Sequence, residues 1–87
     1  MKRSDFMRKE FVGLEVAVSS SKHAPYLNVK GVVVGETKNT LLIEMNGREI
    51  VIPKAGNSFS FTYESEQITV QGSEIQHRPE DRIKKTR

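Results

Sequence analysis

Two histidines and no cysteine stand among the 87 residues. His23 follows the loop Ser19-Ser20-Ser21-Lys22, and His77 precedes a basic tail. A serine nucleophile needs an imidazole that a third group orients, and no such group is spaced to do so here. Carboxylates do not cluster at ligand spacing near either histidine, so no metal site is predicted, and the lack of thiolates excludes a zinc finger and a disulfide framework. Glycines 13, 31, 35, 47, 56 and 72 are scattered and build no phosphate-cradling loop. Catalysis by the chain's own side chains is not predicted, and no cofactor is expected on it.

The remaining chemistry is charge. Fourteen Lys and Arg stand against eleven Asp and Glu, a net of +3 whose distribution is uneven. Residues 1–9 set Lys2, Arg3, Arg8 and Lys9 against Asp5, and residues 77–87 set Arg78, Arg82, Lys84, Lys85 and Arg87 against Glu80 and Asp81. Each end is thus +3, while residues 10–76, with five bases and eight acids, sum to −3. Cationic ends on a mildly acidic body suit a polyanion. Nucleic acid is favoured over membrane because neither end pairs its charges with large apolar side chains on a long helix. The plainer alternative is a pair of solvated, frayed termini. No apolar run nears the roughly 18 residues of a membrane span, and no apolar stretch follows Met1-Lys2-Arg3-Ser4-Asp5, so a cytoplasmic protein is expected.

These cations flank an all-β middle. From Leu14 to Gly72, short alternating segments rich in Val, Ile, Thr and Phe are split by turn residues, the pattern of a small barrel or sandwich of six strands. The strands are expected near Leu14–Val18, Leu27–Thr37, on both sides of Asn46-Gly47, at Phe59–Tyr63, and around Ile68 and Val70. Asn46-Gly47 is a strong hairpin signal, and Lys38-Asn39 suits a two-residue turn if Asn39 takes a positive φ. Two such turns pair Ile43 with Ile50 and with Val34, and Leu41 with Ile52. Val32, Val34, Leu41, Ile43, Ile50 and Ile52 are then expected inside. Val33, Leu42 and Val51 form an apolar stripe outside, to be covered by the chain's own Phe6, Met7 and Phe11 or by a partner protein. Phe59 and Phe61 are read as core, with Tyr63 the aromatic most open to base stacking. Beyond His77, Pro79 with Glu80 and Asp81 reads as the start of a short helix that must dock to persist.

Four strings carry a resemblance: Phe11-Val12-Gly13-Leu14, Glu36-Thr37-Lys38-Asn39-Thr40-Leu41, Ile52-Pro53-Lys54, and Arg78-Pro79-Glu80-Asp81-Arg82-Ile83-Lys84-Lys85. In this order they resemble the archaeal ribonuclease P protein component 1 family, homologous to a eukaryotic ribonuclease P and MRP subunit. The resemblance implies an Sm-like, SH3-like barrel at 11–76, with a basic arm at 1–10 and a basic tail at 77–87, each helical or disordered. It implies an accessory subunit that binds the ribonuclease P RNA and pairs with a zinc-ribbon protein subunit. The RNA, with magnesium, would then cleave precursor tRNA, which this chain meets indirectly. Candidate RNA contacts are Lys2, Arg3, Arg8, Lys9, Lys38, Asn39, Lys54, Arg78, Arg82, Lys84, Lys85 and Arg87; candidate protein contacts are Phe6, Phe11, Val33, Leu42 and Val51. The alternatives are a ribosomal-type module of the same barrel class and a protein–protein adaptor.

Overall fold

The computed structural model describes Phe6 and residues 10–77. Six antiparallel strands, β1 (Glu15–Ser21), β2 (Lys30–Glu36), β3 (Thr40–Met45), β4 (Arg48–Pro53), β5 (Asn57–Tyr63) and β6 (Glu66–Gln71), form one sheet in the order β4-β3-β2-β1-β5-β6. Short 3-10 turns at Ala24–Asn28 and Gly72–Ile75 interrupt and follow the strands. The chain is a small all-β, barrel-like fold.

The hairpin between β3 and β4 forms as its turn residues dictate. Asn46 (φ 55°) and Gly47 (φ 77°) both take positive φ, so the tight turn leaves Met45 opposite Arg48, Ile43 opposite Ile50 and Leu41 opposite Ile52. A second tight turn uses residues less suited to it: Glu64 (φ 49°) and Ser65 (φ 68°) join β5 to β6.

Curvature comes from irregularities in β1 and β2. The β1–β5 register shifts at Ser19, and the β2–β3 register shifts at Val34. Gly31 lies so close to β3 that a Cβ there would stand 2.9 Å from the Glu44 carbonyl carbon and nearer still to its oxygen. No other residue lets the two backbones approach in this way.

The bulge corrects one expectation. Glu36 faces Leu41 and Gly35 faces Leu42 as two-residue-turn geometry requires, but beyond Val34 the pairs become Val33 with Ile43 and Val32 with Glu44. A shift of one residue exchanges the faces of a strand. Val33 is therefore buried at 1% exposure, while Val32 and Val34, expected inside, are exposed.

The core joins Val16, Val18, Val29, Val33, Leu41, Ile43, Ile52, Phe59, Phe61, Val70 and Ile75 with Phe6 and Phe11. Phe6 stacks on Phe11 at 5.4 Å and lies 5.5 Å from Phe61, while Phe11 lies 4.6 Å from Phe61. Phe6 and Phe11 thus close the barrel from within instead of lying on its outer stripe or meeting a partner. Buried in full, each contributes about 1.5–3 kcal/mol of transfer free energy. Tyr63 is half-buried, its ring edge-on to Phe6 at 6.0 Å.

Candidate nucleic-acid interface

The turn between β2 and β3 is built by hydroxyls. The Thr37 amide donates to the Thr40 carbonyl (3.0 Å), the Thr40 amide donates to Thr37 Oγ1 (3.1 Å), and the two hydroxyls lie 2.6 Å apart. Asn39 does not take a positive φ, so its tolerance of the left-handed region is not what forms the turn. Lys38 and Asn39 stand exposed at the tip, as a contact with phosphate requires.

Lys54 does not. Its side chain is fully buried, and Nζ donates to Glu36 Oε2 (2.8 Å), to the Thr37 carbonyl (2.7 Å) and to the His77 carbonyl (3.2 Å). Those acceptors match the three protons of an ammonium, and the expectation that Lys54 meets RNA is corrected accordingly. The reason is visible in the register. Glu36 opposite Leu41 projects its carboxylate toward the interior, and a buried carboxylate needs a cation with good geometry. The backbone of Lys54 is engaged as well. Its amide donates to the Asn39 carbonyl (2.7 Å), and Gly72 packs so tightly on its carbonyl that no Cβ would fit.

The segment after β6 is held at the same place. The Gln71 amide donates to Glu74 Oε1 (2.9 Å), Ile75 is buried in the core, and the His77 amide donates to the Ile75 carbonyl (2.8 Å). The tip of the β2–β3 hairpin, the β4–β5 connection and the root of the basic tail therefore converge on one ammonium. Sequence reasoning missed Glu36 and the His77 carbonyl as its partners; an acid in an otherwise apolar strand was the available signal.

Of the remaining candidate RNA contacts, Lys2, Arg3, Arg8, Lys9, Arg78, Arg82, Lys84, Lys85 and Arg87 lie outside the described residues, as does the helix expected from Pro79. On the outer face, Val51 is 55% exposed opposite half-buried Leu42, with Val34 exposed nearby on β2. Val33 is not part of this stripe. A groove of about 600 Å³ crosses β2, β1, β5 and β6 over Ala17, Gly31 and Ser60, and it carries one acid, Glu15, and one base, Lys30. His23 lies edge-on to Tyr26 at 4.5 Å, and its amide donates to Ser21 Oγ. Among the described residues, no three His, Cys, Asp or Glu converge as metal ligands would, and no helix is long and apolar enough to cross a membrane.

A model of the family described as ribonuclease P/MRP, subunit p29, matches residues 4–85. The ribonuclease P protein component 1 of Methanosphaera stadtmanae is 43% identical over 79 residues, covering 90% of this chain and 85% of the relative. That of Methanocaldococcus jannaschii is 42% identical over 82 residues, covering 93% and 86%. Among solved structures, Mth11, described as a homologue of human RNase P protein Rpp29, superimposes with a TM-score of 0.63. It is 42% identical, and the match covers 86% of this chain and 99% of Mth11.

Proposed function

The chain belongs to the ribonuclease P/MRP subunit p29 family and is a protein subunit of ribonuclease P, and from that premise we propose that it supports the catalytic RNA by charge neutralisation alone. The complex is an endoribonuclease of tRNA maturation. In this reading the chain contributes no catalytic side chain, and magnesium belongs to the RNA. The protein's cations replace counterions on RNA phosphates and so favour the folded, closely packed RNA.

The observation that carries the reading is the segregation of charge. The body from 10 to 76 is net −3, whereas each end is +3, so attraction to RNA resides in the ends and in the exposed tip at Lys38. Asn39 is the neutral member of that tip. The outer stripe of exposed Val34 and Val51 with half-buried Leu42 is offered to the second, zinc-ribbon protein subunit, and the assembly works in the cytoplasm.

The test is reconstitution of precursor-tRNA cleavage from the RNA with and without this protein across a magnesium series. The expected result is that the protein lowers the magnesium needed and that high magnesium largely replaces it. Cleavage by the purified protein without RNA would overturn the reading.

A further inference from the structure

Lys54 is a buried cation with no exposed surface to offer RNA, and stability alone does not call for an ion pair at this place in the core. Replacing a buried ion pair with apolar side chains of similar volume is often neutral or stabilising. Its partners suggest another role. One acceptor, the Thr37 carbonyl, is one residue from exposed Lys38, and another, the His77 carbonyl, is one residue before Arg78, where the basic tail begins. Bonded to one nitrogen, these two carbonyls are no more than about 6 Å apart. The third acceptor, Glu36, anchors the ammonium from β2, and Gly72 and Ile75 hold the approach to His77 against the body.

We propose that Lys54 is a positioning residue for RNA binding: by clamping the His77 carbonyl beside the Thr37 carbonyl, it fixes the root of the basic tail next to the hairpin tip, so that Lys38 and the tail engage RNA phosphates as one unit. This rests on the reading that the tail contacts RNA. The clamp adds no contact of its own. It removes freedom that the tail root would otherwise lose on binding, as any pre-organised binding element does.

A contact and a clamp differ in their salt dependence. Losing a phosphate contact lowers the magnitude of the slope of log affinity against log salt by about 0.7–0.9, whereas losing a clamp lowers affinity at every salt concentration and leaves the slope alone. The experiment measures binding of the full-length protein to ribonuclease P RNA transcript across a salt series. Three variants are compared with the parent. Lys54→Met with Glu36→Leu removes the clamp without stranding a buried charge. A Gly-Ser-Gly-Ser spacer between His77 and Arg78 uncouples the tail and leaves the buried pair untouched. Lys84→Ala with Lys85→Ala tests the tail's contacts directly.

The first two variants are expected to bind about tenfold more weakly, equivalent to about 1.4 kcal/mol, with unchanged slopes. The third should reduce the slope by roughly 1.4–1.8. Binding within twofold of the parent by the spacer variant overturns the clamp, and that arm decides if the paired substitution does not fold. A slope reduced by about 0.7–0.9 in the paired variant also overturns it, because Lys54 would then be a direct contact. An unchanged slope in the Lys84/Lys85 variant instead removes the tail from the interface, which refutes the underlying reading whatever the other two variants show.

Discussion

Replacing Gly31 with Ala should damage the barrel far more than replacing Gly35 with Ala, although both lie on β2. A Cβ at position 31 meets backbone, 2.9 Å from the Glu44 carbonyl carbon and nearer to its oxygen, with the Ile43 side chain (Cγ2) at 3.2 Å besides. Backbone cannot rotate away, so β3 must retreat by roughly 1 Å to restore ordinary contact. Overpacking of this kind costs about 1–3 kcal/mol. The retreat also loosens one or two β2–β3 ladder hydrogen bonds at about 1 kcal/mol each, for a loss of about 2–5 kcal/mol in all. At position 35 the nearest atom is Leu42 Cδ2 at 3.4 Å, the end of a flexible side chain. There the stiffer unfolded chain offsets any crowding, leaving a change of about 1 kcal/mol or less in either direction. Urea denaturation reads the difference. With a slope of about 1 kcal/mol/M, a loss of about 3 kcal/mol moves the midpoint by about 3 M, a large part of the roughly 4–13 kcal/mol that a chain of this length has. Equal midpoints for the two variants would mean that β2 does not press on β3 at Gly31 and that the curl of the sheet arises elsewhere.

Three further outcomes follow from the packing. Glu64→Asn with Ser65→Gly relieves two side chains held at positive φ and should stabilise the protein by about 1–2 kcal/mol, seen as a melting temperature several degrees higher; an unchanged melt would mean that the turn carries no strain. Phe11→Ala should cost about 3–5 kcal/mol by chemical denaturation, because the ring is fully buried against Phe6 and Phe61, and a loss below 1 kcal/mol would return Phe11 to the surface. Val51→Lys should shift stability by less than about 0.5 kcal/mol while weakening capture of a second protein subunit of ribonuclease P; unfolding would contradict the outward placement of Val51.

The sequence made the β3–β4 hairpin legible because Asn46-Gly47 admits one tight turn, and the register of six residue pairs follows from it. It misled on β2. The turn through Thr37 and Thr40 has the expected length, but a bulge at Val34 reverses every side chain before it, and alternation alone cannot reveal an extra residue. Gly35 was the local hint, since an isolated glycine in a strand often marks such a bulge. Lys54 misleads for a different reason. Exposure is the default for lysine, and its partners stand 17, 18 and 23 residues away, beyond any local pattern. Phe6 and Phe11 are legible as apolar residues that pack against the body, but the side of the sheet that takes them is set by long-range packing against Phe61, which alternation does not show.

β4 stands at one end of the strand order, and with its neighbour β3 already paired it has a second row of backbone groups to manage. Its run Ile50-Val51-Ile52 has the high β-propensity that lets identical segments stack between copies into fibrils. The flanks oppose this. Pro53 offers no N–H to an incoming strand, Arg48 and Glu49 would bring like charges together in a parallel in-register stack, and Glu49 already faces Glu44 across the hairpin. All three flanking residues are exposed and none belongs to the core, so protection against edge-to-edge aggregation is held separately from folding stability. A substitution at any of them can leave the melting curve intact and still shorten the time the protein remains dispersed at high concentration.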